Sequence, residues 1–222
     1  MSIPDNLRKL QSDIPENVSI IAVSKRKTVD EILEAYQAGH RIFGENRVQE
    51  LVEKQPRLPE DIKWHMVGHL QTNKVKYLAG FVDMIQSVDS LKLLQTINRE
   101  AVKADRIIPC LLQIHIALED TKFGFTLDEL LELAGYSEFN SLQNVRIKGV
   151  MGMATYTPDM EQVRSEFKQL YEVYRELKEG IYASDQDFCE VSMGMSGDFR
   201  VAIDEGSTMV RLGTLIFGPR NY

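Results

Sequence analysis

The sequence predicts a (β/α)8 TIM barrel from three observations: eight short apolar runs of strand character, helical patterns between them, and Gly-rich turns after the last two runs. A parallel sheet covered by helices on its outer face needs strands that read as near-continuous apolar stretches, and these do. An open doubly wound sheet is the alternative, but such sheets use fewer strands and place their Gly-rich turn after the first. Here the first turn is Ser24-Lys25-Arg26-Lys27, without glycine. The 222 residues suffice for one barrel and leave little room for more, so a single domain over 1–222 is expected.

In chain order, the first strand is expected at 18–24 and ends on Lys25. Thr28 or Asp30 then caps a helix to about 38, with Ile32, Leu33 and Tyr36 as its apolar stripe and Gly39 as its stop. A strand at 41–44 leads into a helix over 45–54, and a strand at 63–68, preceded by a Pro56/Pro59 loop, into a helix over 71–79. The fourth strand, 84–88, precedes a helix capped by Asp89 or Ser90 and ending near 103. The fifth, 107–116, precedes a helix from Thr126 to about 134. The sixth, 145–151, is followed by the longest helix, from Pro158-Asp159 to about 178, with Phe167, Leu170, Tyr171 and Tyr174 facing the core. A strand at 188–192, a short helix at 198–205 and a strand at 208–212 complete eight strands with seven intervening helices.

Composition narrows the function classes. An apolar fraction of 43% and a charged fraction of 27% are ordinary for a globular chain, and a net charge of −7 argues against nucleic acid or an anionic membrane as a general partner. A small anion needs only a local site. The N-terminal residues lack the apolar core of a signal peptide and no apolar run is long enough to span a bilayer, so a cytoplasmic protein is expected. Cys110 and Cys189 both lie inside apolar runs and are expected to be buried, reduced thiols. His65 and His69 have an H-x3-H spacing, but one sits on a strand, the other past a Gly turn, and no third ligand is near; no metal site is expected.

Two turns, Ser196-Gly197 after the seventh strand and Gly213-Thr214 after the eighth, have the residue types that let backbone N–H groups approach an anion. Either is an ordinary turn or cap taken alone; adjacent in one barrel they read as a phosphate cup. Period-two alternation points Arg211 into the lumen with Met209 and Gly213, and Lys25 with Val23 and Ile21, so both cations are expected side by side at the C-terminal mouth. Lys25 is then either a rim lysine or an amine poised to form a Schiff base with a phosphorylated aldehyde, since a desolvated lysine near other cations exposes its neutral form. Arg211 either pairs with Glu190 or Asp204 or donates to a bound ring nitrogen.

Five motifs carry a resemblance. Ala22-Val23-Ser24-Lys25, Phe43-Gly44-Glu45-Asn46-Arg47-Val48-Gln49-Glu50, the segment from Trp64 through His65 and Gly68 to Lys74, the strand-7 Ser-Met-Gly-Met-Ser-x-Asp and the strand-8 Val-Arg-x-Gly-Thr-x-Ile-Phe-Gly together resemble the pyridoxal phosphate homeostasis proteins. That family is similar to the N-terminal barrel of alanine racemase, the fold type III arrangement of pyridoxal-phosphate proteins. The resemblance implies that pyridoxal 5′-phosphate (PLP) is carried as an internal aldimine on Lys25. It implies too that Arg211 faces the pyridine nitrogen, that Ser196, Gly213 and Thr214 hold the phosphate, and that Asn46 and His65 lie on the pocket wall. Arg26 and Lys27-Thr28 replace the Lys-Pro often seen after the lysine.

Alanine racemase adds a β-rich C-terminal domain with an opposing acid/base tyrosine; this chain ends at Tyr222, soon after the eighth strand, which leaves Lys25 as the one identifiable base. The resemblance therefore implies a monomeric, non-catalytic carrier that buffers PLP and passes it to apo-enzymes. A PLP-dependent amino-acid racemase or lyase is the second reading. A third is an unrelated phosphate-ligand barrel in which Lys25 makes only an ion pair.

Overall fold

Eight apolar runs of this kind close on themselves. In a computed structural model of the chain, which describes residues 2–118 and 123–219, the strands form a closed parallel barrel in sequence order. They are β1 (Ser19–Val23), β2 (Ile42–Glu45), β3 (Lys63–Met66), β4 (Met84–Val88), β5 (Ile108–Ile114), β6 (Val145–Gly152), β7 (Glu190–Met195) and β8 (Met209–Leu212). The ring is sealed by β1 against β8, with Ser19 opposite Met209 and Ala22 opposite Leu212.

The helices are α1 (Ile3–Asp13), α2 (Val29–Gln37), α3 (Val48–Lys54), α4 (Leu91–Lys103), α5 (Leu127–Ala134), α6 (Ser137–Asn140), α7 (Met160–Glu179), α8 (Phe199–Asp204) and α9 (Thr214–Phe217). Their starts follow the capping residues. Thr28 and Thr126 each form a reciprocal capping box with a glutamate three residues on, Ser90 rather than Asp89 caps α4, and Asp159 caps α7.

Alternation along the strands separates two cores. Phe43, Trp64, Met66, Val191, Met193, Val210 and Leu212 face outward into the helix layer, which also buries Phe167 and Leu170 of α7. Ile21, Met84, Leu111, Met151 and Met209 fill the lumen with Val67. The lumen is thus a packed plug, with functional side chains at its C-terminal end.

Several boundaries differ from expectation for physical reasons. α1 was not expected: Ser2 caps it, Pro4 starts it, and Leu7, Leu10 and Ile14 bury its apolar side. Instead of an α-helix at 71–79 there is a 3-10 segment, Thr72–Tyr77, which suits the three-residue spacing of buried Val75 and Leu78. β2 runs on to Glu45, which pairs with Met66, so α3 starts only at Val48. β7 is shifted toward its C-terminus, because Phe188 is held outside the sheet between Tyr182 and Tyr174, at ring separations of 4.1 and 5.5 Å. Cys110 is buried as expected, but Cys189 is exposed: it follows buried Phe188 and alternates out to solvent before the sheet begins. Among the described residues, no helix is long and apolar enough to cross a membrane.

Candidate functional site

The C-terminal ends of the strands surround a cavity of about 610 Å3. That lies inside the range of roughly 300–1,000 Å3 common for small-ligand sites. Lys25 and Lys27 reach it from the loop after β1, Asn46 from the loop after β2, and Arg211 from β8. Ser196, Gly197 and Asp198 line it from the loop after β7, Gly213 and Thr214 from the loop after β8. Lys25, Lys27 and Arg211 bring basic side chains to this lining and Asp198 a carboxylate, while Lys27 Nζ is paired with Glu31 Oε1 at 3.0 Å. A chain of net charge −7 thus gathers basic side chains at this mouth.

The two glycine turns are joined. The Gly213 N–H donates to Ser196 Oγ at 3.3 Å, which brings the loops after β7 and β8 onto one side of the cavity. The bend that delivers Ser196 depends on Gly194, whose φ is +93° and whose absent Cβ would lie 2.6 Å from Ala202 Cβ. Asp198 accepts the Met195 N–H and so closes the turn, while its burial raises its carboxyl above the usual range. On the opposite wall, a Cβ on Gly68 would fall 2.3 Å from the Asn46 carbonyl oxygen, so only glycine lets the loop carrying Asn46 settle there.

Arg211 is 5% exposed, with neither Glu190 nor Asp204 as partner: Glu190 accepts from Thr208, and Asp204 pairs with Arg164. Its guanidinium donates instead to Ser192 O at 2.8 Å, Ser192 Oγ at 2.7 Å and Gly152 O at 2.8 Å. Ser192 Oγ donates in turn to Gln86 Oε1 at 2.7 Å, and Gln86 Nε2 lies 2.9 Å from His65 Nδ1. Because Arg211 can only donate, each later link has its direction fixed: the hydroxyl proton points to Gln86, the amide N–H to His65. His65 Nδ1 must then be bare and the ring proton on Nε2. Burial, helped by Lys63, lowers the His65 pKa to about 3, so the ring stays neutral. Burial also lowers Arg211, to about 10 against the pull of Asp198, which still leaves a cation at neutral pH.

The sequence-nominated residues thus divide. Lys25, Asn46, Ser196, Arg211, Gly213 and Thr214 share the cavity wall; His65 does not line it and reaches it only through Gln86, Ser192 and Arg211. Lys25 and Arg211 are not level neighbours either: the ladder pairs Arg211 with Ile21, which puts the guanidinium deeper than an amine four residues nearer the mouth. His69 lies apart from His65, with its Nδ1 2.9 Å from Asp89 and its ring stacked 4.1 Å from Phe123. Sequence reasoning gave no site role to Gln86 or Lys27 and carried Ser192 and Asp198 only as positions of the strand-7 motif. For Gln86 and Ser192 a signal existed, since each is a polar residue on the lumen-facing side of its strand, in register with Met84 or opposite Met209.

Comparison with known proteins adds the following. A family model described as "Alanine racemase, N-terminal domain" matches residues 2–221. The chain is 38% identical to a "Pyridoxal phosphate homeostasis protein" of Pasteurella multocida over 237 residues, covering 100% of this chain and 99% of that one. A protein of the same name from Aquifex aeolicus is 40% identical over 204 residues, 91% of this chain and 87% of that one. Among solved structures, PipY of Synechococcus elongatus without PLP superposes with a TM-score of 0.90 at 37% identity, over 98% of this chain and 100% of PipY. PipY with PLP bound superposes at 0.86. Alanine racemase of Bartonella henselae shares the fold at 18% identity and a TM-score of 0.70, over 99% of this chain and 60% of the racemase.

Proposed function

We propose, for a chain that belongs to the alanine racemase N-terminal domain family and within it to the pyridoxal phosphate homeostasis proteins, that the barrel mouth binds PLP through a Schiff base on Lys25. Its role is to hold and release the cofactor, in the cytoplasm, as a monomer of one domain over 1–222, and to supply PLP-dependent apo-enzymes. The observation that carries this reading is the composition of one wall: an amine, a buried donor-only guanidinium and two joined Ser/Gly/Thr loops around a single cavity. A phosphate, a ring nitrogen and an aldehyde on one rigid ring call for that set.

PLP supplies a reactive aldehyde: condensation with an amine forms a C=N bond and releases the carbonyl oxygen as water, and the reverse reaction frees the cofactor. Ser196 Oγ, the Gly213 N–H and the Thr214 hydroxyl are assigned to the phosphate, and Asn46 to the ring side of the wall. Arg211 is assigned to the pyridine nitrogen. As a permanent donor it keeps that nitrogen unprotonated, which favours holding the cofactor over stabilising a carbanion. His65 acts at one remove, by terminating the chain that orients Arg211.

Borohydride reduction of the protein mixed with PLP, followed by peptide mass spectrometry, tests the reading. The expected product is a phosphopyridoxyl group on Lys25, absent from Lys25→Ala, with no isomerisation of alanine, serine or glutamate by the untreated protein. Labels scattered over surface lysines would sink the site assignment, and turnover at rates typical of enzymes would overturn the carrier role.

A further inference from the structure

Behind Lys25, on the face of the sheet away from the cavity, lies a trio of charged residues that the cofactor site does not use, two of them buried and the third, Glu50, partly exposed. Glu45 at the end of β2 is fully buried, and Lys54 in the last turn of α3 is nearly so. Lys54 Nζ donates to Glu45 Oε1 at 2.6 Å, to Glu50 Oε2 at 3.1 Å and to the Ser24 carbonyl at 2.9 Å. An ammonium has three N–H bonds, and here three acceptors meet it. None of the three side chains lines the cavity.

Two of the trio's contacts end on the backbone beside Lys25, and a third on the Ser24 side chain. The preceding carbonyl, of Ser24, is held by Lys54; the Ser24 hydroxyl donates to Glu45 Oε1 at 2.8 Å. The following amide, of Arg26, donates to Glu50 Oε2 at 2.7 Å. Arg26 stands at a φ of +61°, a left-handed conformation that a side-chain-bearing residue adopts at a cost. Burying the Glu45–Lys54 pair is itself expensive, and an apolar pair of similar volume would often be at least as stable. Stability alone does not account for its placement; its aim at the two peptide groups flanking one lysine does.

We propose that Lys54 and Glu50, braced by Glu45, are positioning residues for Lys25: they clamp the peptides on either side of it and so direct its amine into the cavity. This rests on the reading of Lys25 as the amine that holds PLP. The test compares two rates at Lys25 by peptide mass spectrometry in the full chain: trapping with PLP and borohydride, which needs the directed amine, and acetylation by acetic anhydride, which does not. The variants are Lys54→Met, Glu50→Ala, Glu50→Gln and, as a remote destabilised control, Ile97→Val in α4.

Lys54→Met and Glu50→Ala should lower the trapping-to-acetylation ratio about tenfold or more, the scale on which lost orientation acts. Glu50→Gln, which keeps an acceptor for the Arg26 N–H, should stay near the wild-type ratio, and so should the control. Should Lys54→Met fail to fold, the Ala/Gln pair at the more peripheral Glu50 still decides. Ratios that match wild type in every variant, whatever stability is lost, would reduce the trio to an ordinary packing element. A wild-type chain with no Lys25 adduct would instead overturn the cofactor reading, and this inference with it.

Discussion

His65 is a histidine that cannot titrate in the physiological range while the barrel is folded. Its folded pKa of about 3 lies below the unfolded value of 6.5, so between those limits the unfolded chain binds the extra proton and stability rises with pH. The contribution is complete above 6.5 and is lost progressively as pH falls towards 3. From pH 7.5 to 5 that loss should be about 2 kcal/mol. Buried His40, also lowered chiefly by burial, acts in the same direction, so the comparison has to be differential. Urea unfolding of wild type and His65→Gln at both pH values should show the variant losing less on acidification; equal losses would mean that His65 is not held neutral. The residue type was visible in the sequence and its role was not. A lone histidine on a strand gives no sign that Gln86 and Ser192, 21 and 106 positions away from their partners, complete a chain to Arg211.

At the scale of elements, the loop after β7 separates shape from contact. Gly194 sits at positive φ, with a prospective Cβ 2.6 Å from Ala202 Cβ and 3.0 Å from Phe199 Cα. Gly197, on the cavity wall, has open space around the same atom. Gly194→Ala should cost on the order of 1–3 kcal/mol of stability through strain and overpacking. Gly197→Ala should leave the thermal midpoint in place and weaken PLP binding, because its methyl group enters the space reserved for the ligand. Paired thermal melts and fluorescence titrations would check both, and similar melting losses would refute the distinction. The strands and most caps were legible because a continuous apolar run and a Thr, Ser or Asp ahead of a helical stripe are local patterns. The 3-10 segment after β3 and the lengthened β2 were not, because neighbours distant in sequence decided them: the buried spacing of Val75 and Leu78, and the pairing of Glu45 with Met66.

For the whole molecule, α1 is the longest of the helices that the sequence reading lacked, the short α6 and α9 being the others. It packs against α2 and α9 and ties its Asn6 side chain to the Ile216 carbonyl at 2.9 Å, so it covers the outer side of the β8–β1 seam. Leu7 is fully buried in it, and Leu7→Ala should cost about 2–5 kcal/mol. A urea midpoint shift equivalent to less than about 1 kcal/mol would mean that α1 is not docked in solution, since exposed sites change stability by no more than that.

The apolar plug has a further consequence. Ile21, Met84, Leu111, Met151 and Met209 stop the lumen below Arg211, so among the described residues the doorway of the cavity lies at the C-terminal end of the barrel. Whatever arrives by it must depart by it. For the carrier role proposed, capture and discharge are then rival events on a single path, and a recipient pressed against the opening would shut out competing traffic while it waits. The rate of handover would then be governed by how long that doorway stays covered, and the bulk concentration of free ligand would matter little.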